Sequence, residues 1–277
     1  GQVFKVPVYT IPETSRTARG TPIVNLVSLD KDDEIAAVIS VRDFDEEVDL
    51  FFCSKKGLVK RTRLGDYRNI RTSGLRAYDC AEGDELLTVR KTRTEQHVLI
   101  TTRAGKCIRF QGINENGELE VRHMGRVARG VRGIKLKEQD EIAGLEMLEA
   151  DAEMLLLTVT ENGYGKRTAI EKYRVQGRGG QGVINMVVDD RNGRVVGSVQ
   201  VHDDDQLMMM TNTGRVIKIP VINIRETQSR AAKGVRLMRV EKDERIVSVT
   251  RVVEQEDDLE EMPVDDGASE EGTTAEE

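Results

Sequence analysis

Residues 48–61, VDLFFCSKKGLVKR, decide the fold of this 277-residue chain. An apolar run from Val48 to Cys53 is followed by Gly57 and a second short run that ends in Lys60 and Arg61. Two β-compatible runs joined by a few residues that close on glycine read as a hairpin. The pattern recurs: Val98 to Thr101 leads to Gly105 and Arg109, Met154 to Val159 to Gly163 and Arg167, and Leu207 to Thr211 to Gly214 and Lys218. Gly1 to Lys5 carries the second half alone.

Each hairpin sits in a longer unit. An acidic turn leads into a further strand at Asp33-Glu34-Ile35, Asp84-Glu85-Leu86, Asp140-Glu141-Ile142 and Asp243-Glu244 before Ile246, with a drifted copy at Arg194-Val195-Val196. After each hairpin a basic loop closes on Gly20, Gly74, Gly130, Gly182 or Gly234, which lie 54, 56, 52 and 52 residues apart. About four short strands per unit with turn glycines at fixed offsets describe a propeller blade and an all-β chain of about five four-stranded repeats. One such unit alone leaves open edges, so neighbours must stack or close into a ring. The first unit lacks the apolar strand before its glycine, and Ile246 to Val252 is the strand expected to fill that gap.

No signal peptide and no apolar run of membrane-spanning length occurs, which predicts a cytoplasmic protein without membrane contact. Cys53, Cys80 and Cys107 match no zinc or redox spacing and read as reduced thiols packed as small hydrophobes. With no Trp and 4% aromatic residues, the core must be largely aliphatic. The net charge of −7 hides two regions. Residues 254–277 hold twelve acids and no base, an acidic tail too poor in apolar surface to fold. Residues 1–253, the expected β domain, carry +5.

Within that body the charge follows the repeat. The five loops and the strands feeding them hold 32 of the 42 Lys and Arg but only 7 of the 49 acids. The candidate DNA-binding residues are Arg16 and Arg19 in the first unit, Lys60, Arg61, Arg63, Arg71 and Arg76 in the second, and Lys106, Arg109, Arg126, Arg129 and Arg132 in the third. Lys166, Arg167, Arg174 and Arg178 follow in the fourth, and Lys218, Arg230, Lys233 and Arg236 in the fifth. One basic loop reads as solvated surface, whereas five in register predict a basic band. Such a band neutralises phosphates without reading bases, and the excess of Arg suits bidentate contacts. Tyr67 and Tyr173 are nearly the only aromatics there, so duplex backbone is favoured over stacked single strands. A duplex following a ring's rim must bend, at a cost of about 1–6 kcal/mol for 40–90°.

The loop Gln176-Gly177-Arg178-Gly179-Gly180-Gln181-Gly182 lets backbone approach closely and reads as an anion nest. With Gly163-Tyr164-Gly165-Lys166-Arg167-Thr168 and Tyr173 before it, it resembles the C-terminal domain of the DNA gyrase A subunit, whose box reads Q-R-R-G-G-K-G at that place. Arg19-Gly20-Thr21-Pro22-Ile23-Val24-Asn25-Leu26 and Arg129-Gly130-Val131-Arg132-Gly133-Ile134 extend the resemblance over residues 1–253. It implies a six-bladed β-pinwheel whose blades exchange strands. It also implies wrapping of duplex DNA in support of negative supercoiling, within an A2B2 assembly formed with the B subunit and the rest of the A subunit; the isolated domain is expected to be a monomer. Gly177 and Gln181 replace two cations of the box. Five units stand where the family has six, the missing one being the first, which carries the box, so either the sequence begins after it or the box was lost.

Two alternatives stay open: the related topoisomerase IV domain, in decatenation and substrate choice, and a protein-binding propeller. The second lacks material, since five Phe and five Tyr make a poor apolar patch. His97, His123 and His202 share no motif with a nucleophile, no phosphate loop of the nucleotide-binding type occurs, and Asp203-Asp204-Asp205 reads as a solvated turn. The domain is expected to hold no metal or cofactor and to catalyse nothing; in the family, ATP and magnesium act elsewhere. Truncation after Val253 is expected to tighten DNA binding, because twelve acids compete with phosphate for the basic band. Equal affinity of the truncated and full chains in a binding titration would remove the tail from the mechanism.

Overall fold

The computed structural model describes residues 1–15, 18–30, 33–149 and 153–253. The predicted acidic tail and Arg16 lie outside the described residues. In chain order the strands are β1 (Gln2–Val3), β2 (Asp49–Ser54), β3 (Leu58–Arg63), β4 (Leu75–Arg76), β5 (Leu86–Thr92) and β6 (His97–Thr102). There follow β7 (Lys106–Phe110), β8 (Val131–Arg132), β9 (Ile142–Leu148), β10 (Leu155–Thr160), β11 (Tyr164–Ala169) and β12 (Val183–Ile184). The last are β13 (Val195–Val201), β14 (Gln206–Thr211), β15 (Val216–Pro220), β16 (Val235–Arg236) and β17 (Ile246–Val252). Short 3-10 turns are the only helical elements among the described residues. No helix among them is long and apolar enough to cross a membrane.

The sheets are β5-β2-β3-β8, β9-β6-β7-β12, β13-β10-β11-β16, β17-β14-β15 and the pair β1-β4, all antiparallel. Three strands of each large sheet come from one unit, and the fourth, two residues long, comes from the next unit's loop. This exchange is the blade joint. The same bulge interrupts the pairing of each middle strand with its inner strand, between Cys53 and Ser54, Thr101 and Thr102, Val159 and Thr160, and Met210 and Thr211. One unit has thus been copied down to its irregularities.

Side chains alternate across a strand, so each middle strand feeds two cores. Phe51 and Cys53 pack with Val98, Ile100, Ile108 and Phe110 of the next blade, while Leu50 and Phe52 pack with Tyr67 and Tyr78 on the other face. Burial on both faces explains why the interior of β2, Leu50-Phe51-Phe52-Cys53, is apolar and does not alternate with polar residues. Inner strands β5, β9, β13 and β17 pack against one another in succession. Cys53 and Cys107 are fully buried, which pushes both thiols up to about 12 and makes them unreactive packing groups.

Two expectations are corrected. Ile246–Val252 pairs with β14 and completes its own blade, so it leaves the first unit's gap unfilled. Residues 33–41 carry the inner-strand pattern yet form no strand, because their unit supplies no middle strand to accept their hydrogen bonds. Among the described residues the repeats therefore yield three four-stranded sheets, one of three strands and one of two.

Inner strand β9 also carries a titrating group. Glu146 is 9% exposed, with Arg90 Nη2 of β5 at 3.6 Å and Gln200 Nε2 of β13 at 3.3 Å. Burial outweighs both neighbours and pushes its carboxyl up to about 7. In the unfolded chain the group ionises near its ordinary value of 4.5. The stability this retained proton gives is full below that value and is lost as pH rises through about 7. Glu146→Gln is therefore expected to stabilise the fold at pH 8 by about 2–3 kcal/mol and to flatten that part of the profile. Parallel urea profiles of variant and parent would contradict this assignment.

Candidate nucleic-acid interface

The outer strands β3, β7 and β11 each anchor the following unit's basic loop. Met124 N donates to Arg61 O, Gln176 N to Arg109 O and Thr227 N to Arg167 O, each at 2.8 Å. His123, Val175 and Glu226 lie in parallel bridges beside those three arginines. The loops are therefore held at equivalent places on successive blades, as the repeat requires.

The arginines at these anchor points face inward. Arg61 is fully buried, with Nη1 3.2 Å from Asp49 Oδ2, and the other carboxylate oxygen lies 2.9 Å from His123 Nε2. Burial lowers the pKa of Arg61 despite Asp49. Arg109 donates to the Ile170 carbonyl at 3.2 Å and to His97 Nδ1 at 3.2 Å. Arg167 donates to the Ile224 and Ile222 carbonyls and pairs with Asp203. Arg109 and Arg167 thus rivet a blade to the next unit's 3-10 turn.

Their neighbours Lys60 and Lys166 are also fully buried. Lys60 Nζ donates to the carbonyls of Ala77 at 2.5 Å and Arg126 at 2.6 Å and sits 4.4 Å over the Phe52 ring. Lys166 Nζ donates to Thr168 Oγ1 at 2.8 Å. Burial brings both ammonium groups down to about 8. Of the residues expected to touch phosphate, Lys60, Arg61, Arg109, Lys166 and Arg167 are thus placed inside the joints, with their side chains buried.

The box-like loop also makes contacts within the protein. Gln176 N, Gly179 N and Arg178 N donate to Arg109 O, Gly133 O and Glu120 Oε1, and Gly180 O accepts from Lys135 N. Arg178 Nε donates to Glu120 O at 3.1 Å and Nη1 to Arg132 O at 2.7 Å. Gly177 and Gln181 are exposed, and Gly182 packs on the Cys107 carbonyl. Three of the loop's amides, those of Gln176, Arg178 and Gly179, are thus engaged in a clasp between units.

Exposed cations remain on every loop. Arg19, Arg63, Arg71, Arg126, Arg132, Arg174, Lys218, Lys233 and Arg236 are exposed, and Lys106 and Arg230 partly so. Arg76 and Arg129 share Asp79, which halves their net charge. Reading the loops by their glycines misses a simpler register. Arg122, Arg174 and Arg225 each immediately precede a bridged residue, His123, Val175 or Glu226, and all three are exposed. None of the three forms an ion pair among the described residues. Of these, only Arg174 is among the candidates that the sequence pattern singles out. Aligning the loops on their anchor points, not on their glycines, reveals the other two.

Asp203 and Asp204 lie in an exposed turn, as expected, with Asp203 paired with Arg167, whereas Asp205 is buried, held by Arg251 at 2.9 Å and the His202 amide at 2.6 Å.

The family model described as DNA gyrase C-terminal domain, beta-propeller, matches residues 1–42, 49–93, 96–149, 155–202 and 205–252, one segment per repeat. Among curated proteins, the DNA gyrase A subunit of Salmonella typhimurium is 43% identical over 272 residues, covering 98% of this chain and 30% of the relative. That of Staphylococcus aureus is 40% identical over 259 residues, covering 93% and 28%. The chain thus spans under a third of the length of these relatives. The solved C-terminal domain of DNA topoisomerase IV superposes with a TM-score of 0.82 at 26% identity, covering 91% of this chain and 76% of that one. A DNA gyrase A C-terminal domain gives 0.76 at 23% identity, covering 91% and 80%, a likeness of fold.

Proposed function

The chain belongs to the DNA gyrase C-terminal domain family, and we propose that it is the part of a gyrase A subunit that binds duplex DNA along its rim and bends it without doing chemistry itself. The observation that supports this reading above others is the row Arg122, Arg174 and Arg225, one exposed, unpaired guanidinium at each of three successive blade joints. A duplex crossing those joints offers a phosphate to each in turn, and guanidinium forks suit phosphate oxygens. Because the joints follow the stacking of the inner strands, DNA that meets all three must follow the same path. Joined to B subunits and to the remainder of an A subunit, such a domain would feed curved DNA to the strand-passing machinery and support negative supercoiling in the cytoplasm. ATP and magnesium would act in those other parts.

Duplex binding is expected to weaken steeply with salt, with a log–log slope of about −0.9 per phosphate neutralised. Arg122→Ala/Arg174→Ala/Arg225→Ala should make that slope shallower by about three, one for each cation lost. Arg109→Met, at a buried rivet, should leave the slope unchanged. Gel shifts over an NaCl series read both variants, and duplex binding that ignores salt would end this proposal. The likeness to the topoisomerase IV domain favours one rival, decatenation in place of supercoiling. Plasmid assays with the complete enzyme separate the two.

A further inference from the structure

Tyr164 opens β11 at the hairpin end of its blade and pairs with Arg236 of the exchanged strand β16. Its hydroxyl oxygen accepts from Arg191 Nε at 3.2 Å and Arg236 Nη2 at 2.8 Å. The same two guanidiniums lie 5.0 and 5.4 Å from the ring centroid. The acid that acts on Arg191, Asp189, is already engaged: Oδ2 by Lys233 Nζ at 2.6 Å, Oδ1 by the amides of Arg191 and Asn192 at 3.2 Å each. Two exposed like charges therefore converge on one neutral oxygen, with no carboxylate among the described residues hydrogen-bonded to either guanidinium.

That arrangement is short of an anion. The phenol oxygen has both acceptor positions filled, and no acceptor for its own proton is found among the described residues. The guanidiniums favour the ionised phenol and hold Tyr164 below its ordinary value. The other units lack the arrangement, since the residues equivalent to Tyr164 are Gln2, Leu58, Lys106 and Arg215. We propose that Arg191, Arg236 and the Tyr164 hydroxyl form a seat for a phosphate group of bound duplex DNA, with each arginine donating to phosphate oxygens and the hydroxyl donating a third hydrogen bond. The seat lies three residues along β11 from Arg167, about 10 Å from the anchor next to Arg225, so it is a second contact beside the rim row. The identity of the phosphate rests on the DNA reading above; the seat itself rests only on the geometry around Tyr164.

Two titrations of the 277-residue chain test it. With inorganic phosphate alone, the Nε–H resonances of Arg191 and Arg236 are expected to shift together and saturably, and the shift at Arg236 to vanish in Arg191→Ala. With duplex over an NaCl series, Arg191→Ala/Arg236→Ala is expected to bind roughly tenfold more weakly and to lower the salt slope by about one. Tyr164→Phe keeps both cations, so it should keep the slope while losing part of the affinity. Phosphate shifts that are absent, or unchanged in Arg191→Ala, overturn the seat. Phosphate shifts with the double variant's duplex affinity and slope intact overturn DNA as the source and leave a site for free phosphate. If duplex binding ignores salt while the phosphate shifts persist, the rim reading fails and the seat stands.

Discussion

Replacing Asp49 by alanine is expected to cost the fold about 3–5 kcal/mol, the size of effect seen when a buried ion pair loses one partner. Asp49 is the only acid paired with Arg61 among the described residues, and it also holds His123; the Arg61 side chain is 1% exposed. Without it the guanidinium keeps its charge and loses its counterion. Its Nε already lacks a partner, and what remains is the Phe51 ring at 5.8 Å. Thermal unfolding should fall by about 10 °C for a chain of this size. The double variant Asp49→Leu/Arg61→Met removes both buried charges and their hydrogen-bonding needs together, and by the same reasoning it should be near neutral or stabilising. It also separates this role from DNA contact, since it should keep the parent's duplex affinity. Equal destabilisation by both variants would show that the ion pair is a net contributor, contrary to this account.

The buried cations show where sequence reading ends. The hairpins are legible because one local cause, a glycine closing a short turn between apolar runs, recurs at Gly57, Gly105, Gly163 and Gly214. The exchange of strands is expected only through a family resemblance, because a two-residue strand such as Val131–Arg132 leaves no periodicity. Lys60 and Arg61 look like rim cations because they recur in register. Recurrence marks a shared structural role as well as a shared functional one, and the carbonyls that take Lys60 come from Ala77 and Arg126, far along the chain. Residues 33–41 fail for a complementary reason: their pattern fits an inner strand, but a strand exists only with a partner. The basic loops are visible as composition, whereas Arg122 and Arg225 become visible only through the anchor points that align them.

The joint itself can be tested through two glycines in the same turn of different blades. Gly163 has φ +81° and Gly214 has φ +83°, so alanine at either meets the left-handed strain of about 1–2 kcal/mol. Their surroundings differ. The Gly163 carbonyl accepts from Leu237 N at 2.8 Å and Met238 N at 3.2 Å of the next unit, and a Cβ there would overlap the Met238 carbonyl oxygen. Around Gly214 a Cβ would meet nothing within 4 Å, because β15 receives no exchanged strand. Gly163→Ala must therefore displace the segment that locks two blades, losing two joint hydrogen bonds worth about 1 kcal/mol each on top of the strain. Its expected cost is about 3–4 kcal/mol, against about 1–2 kcal/mol for Gly214→Ala. Urea unfolding of the two variants measures the difference. The Gly163 variant should also bend DNA less at equal occupancy, because the path over the rim is set by how neighbouring blades are fixed to each other. Equal costs in the two variants would mean that the turn, and not the exchanged strand, governs stability here, and the link from blade joint to DNA curvature would then lose its physical basis.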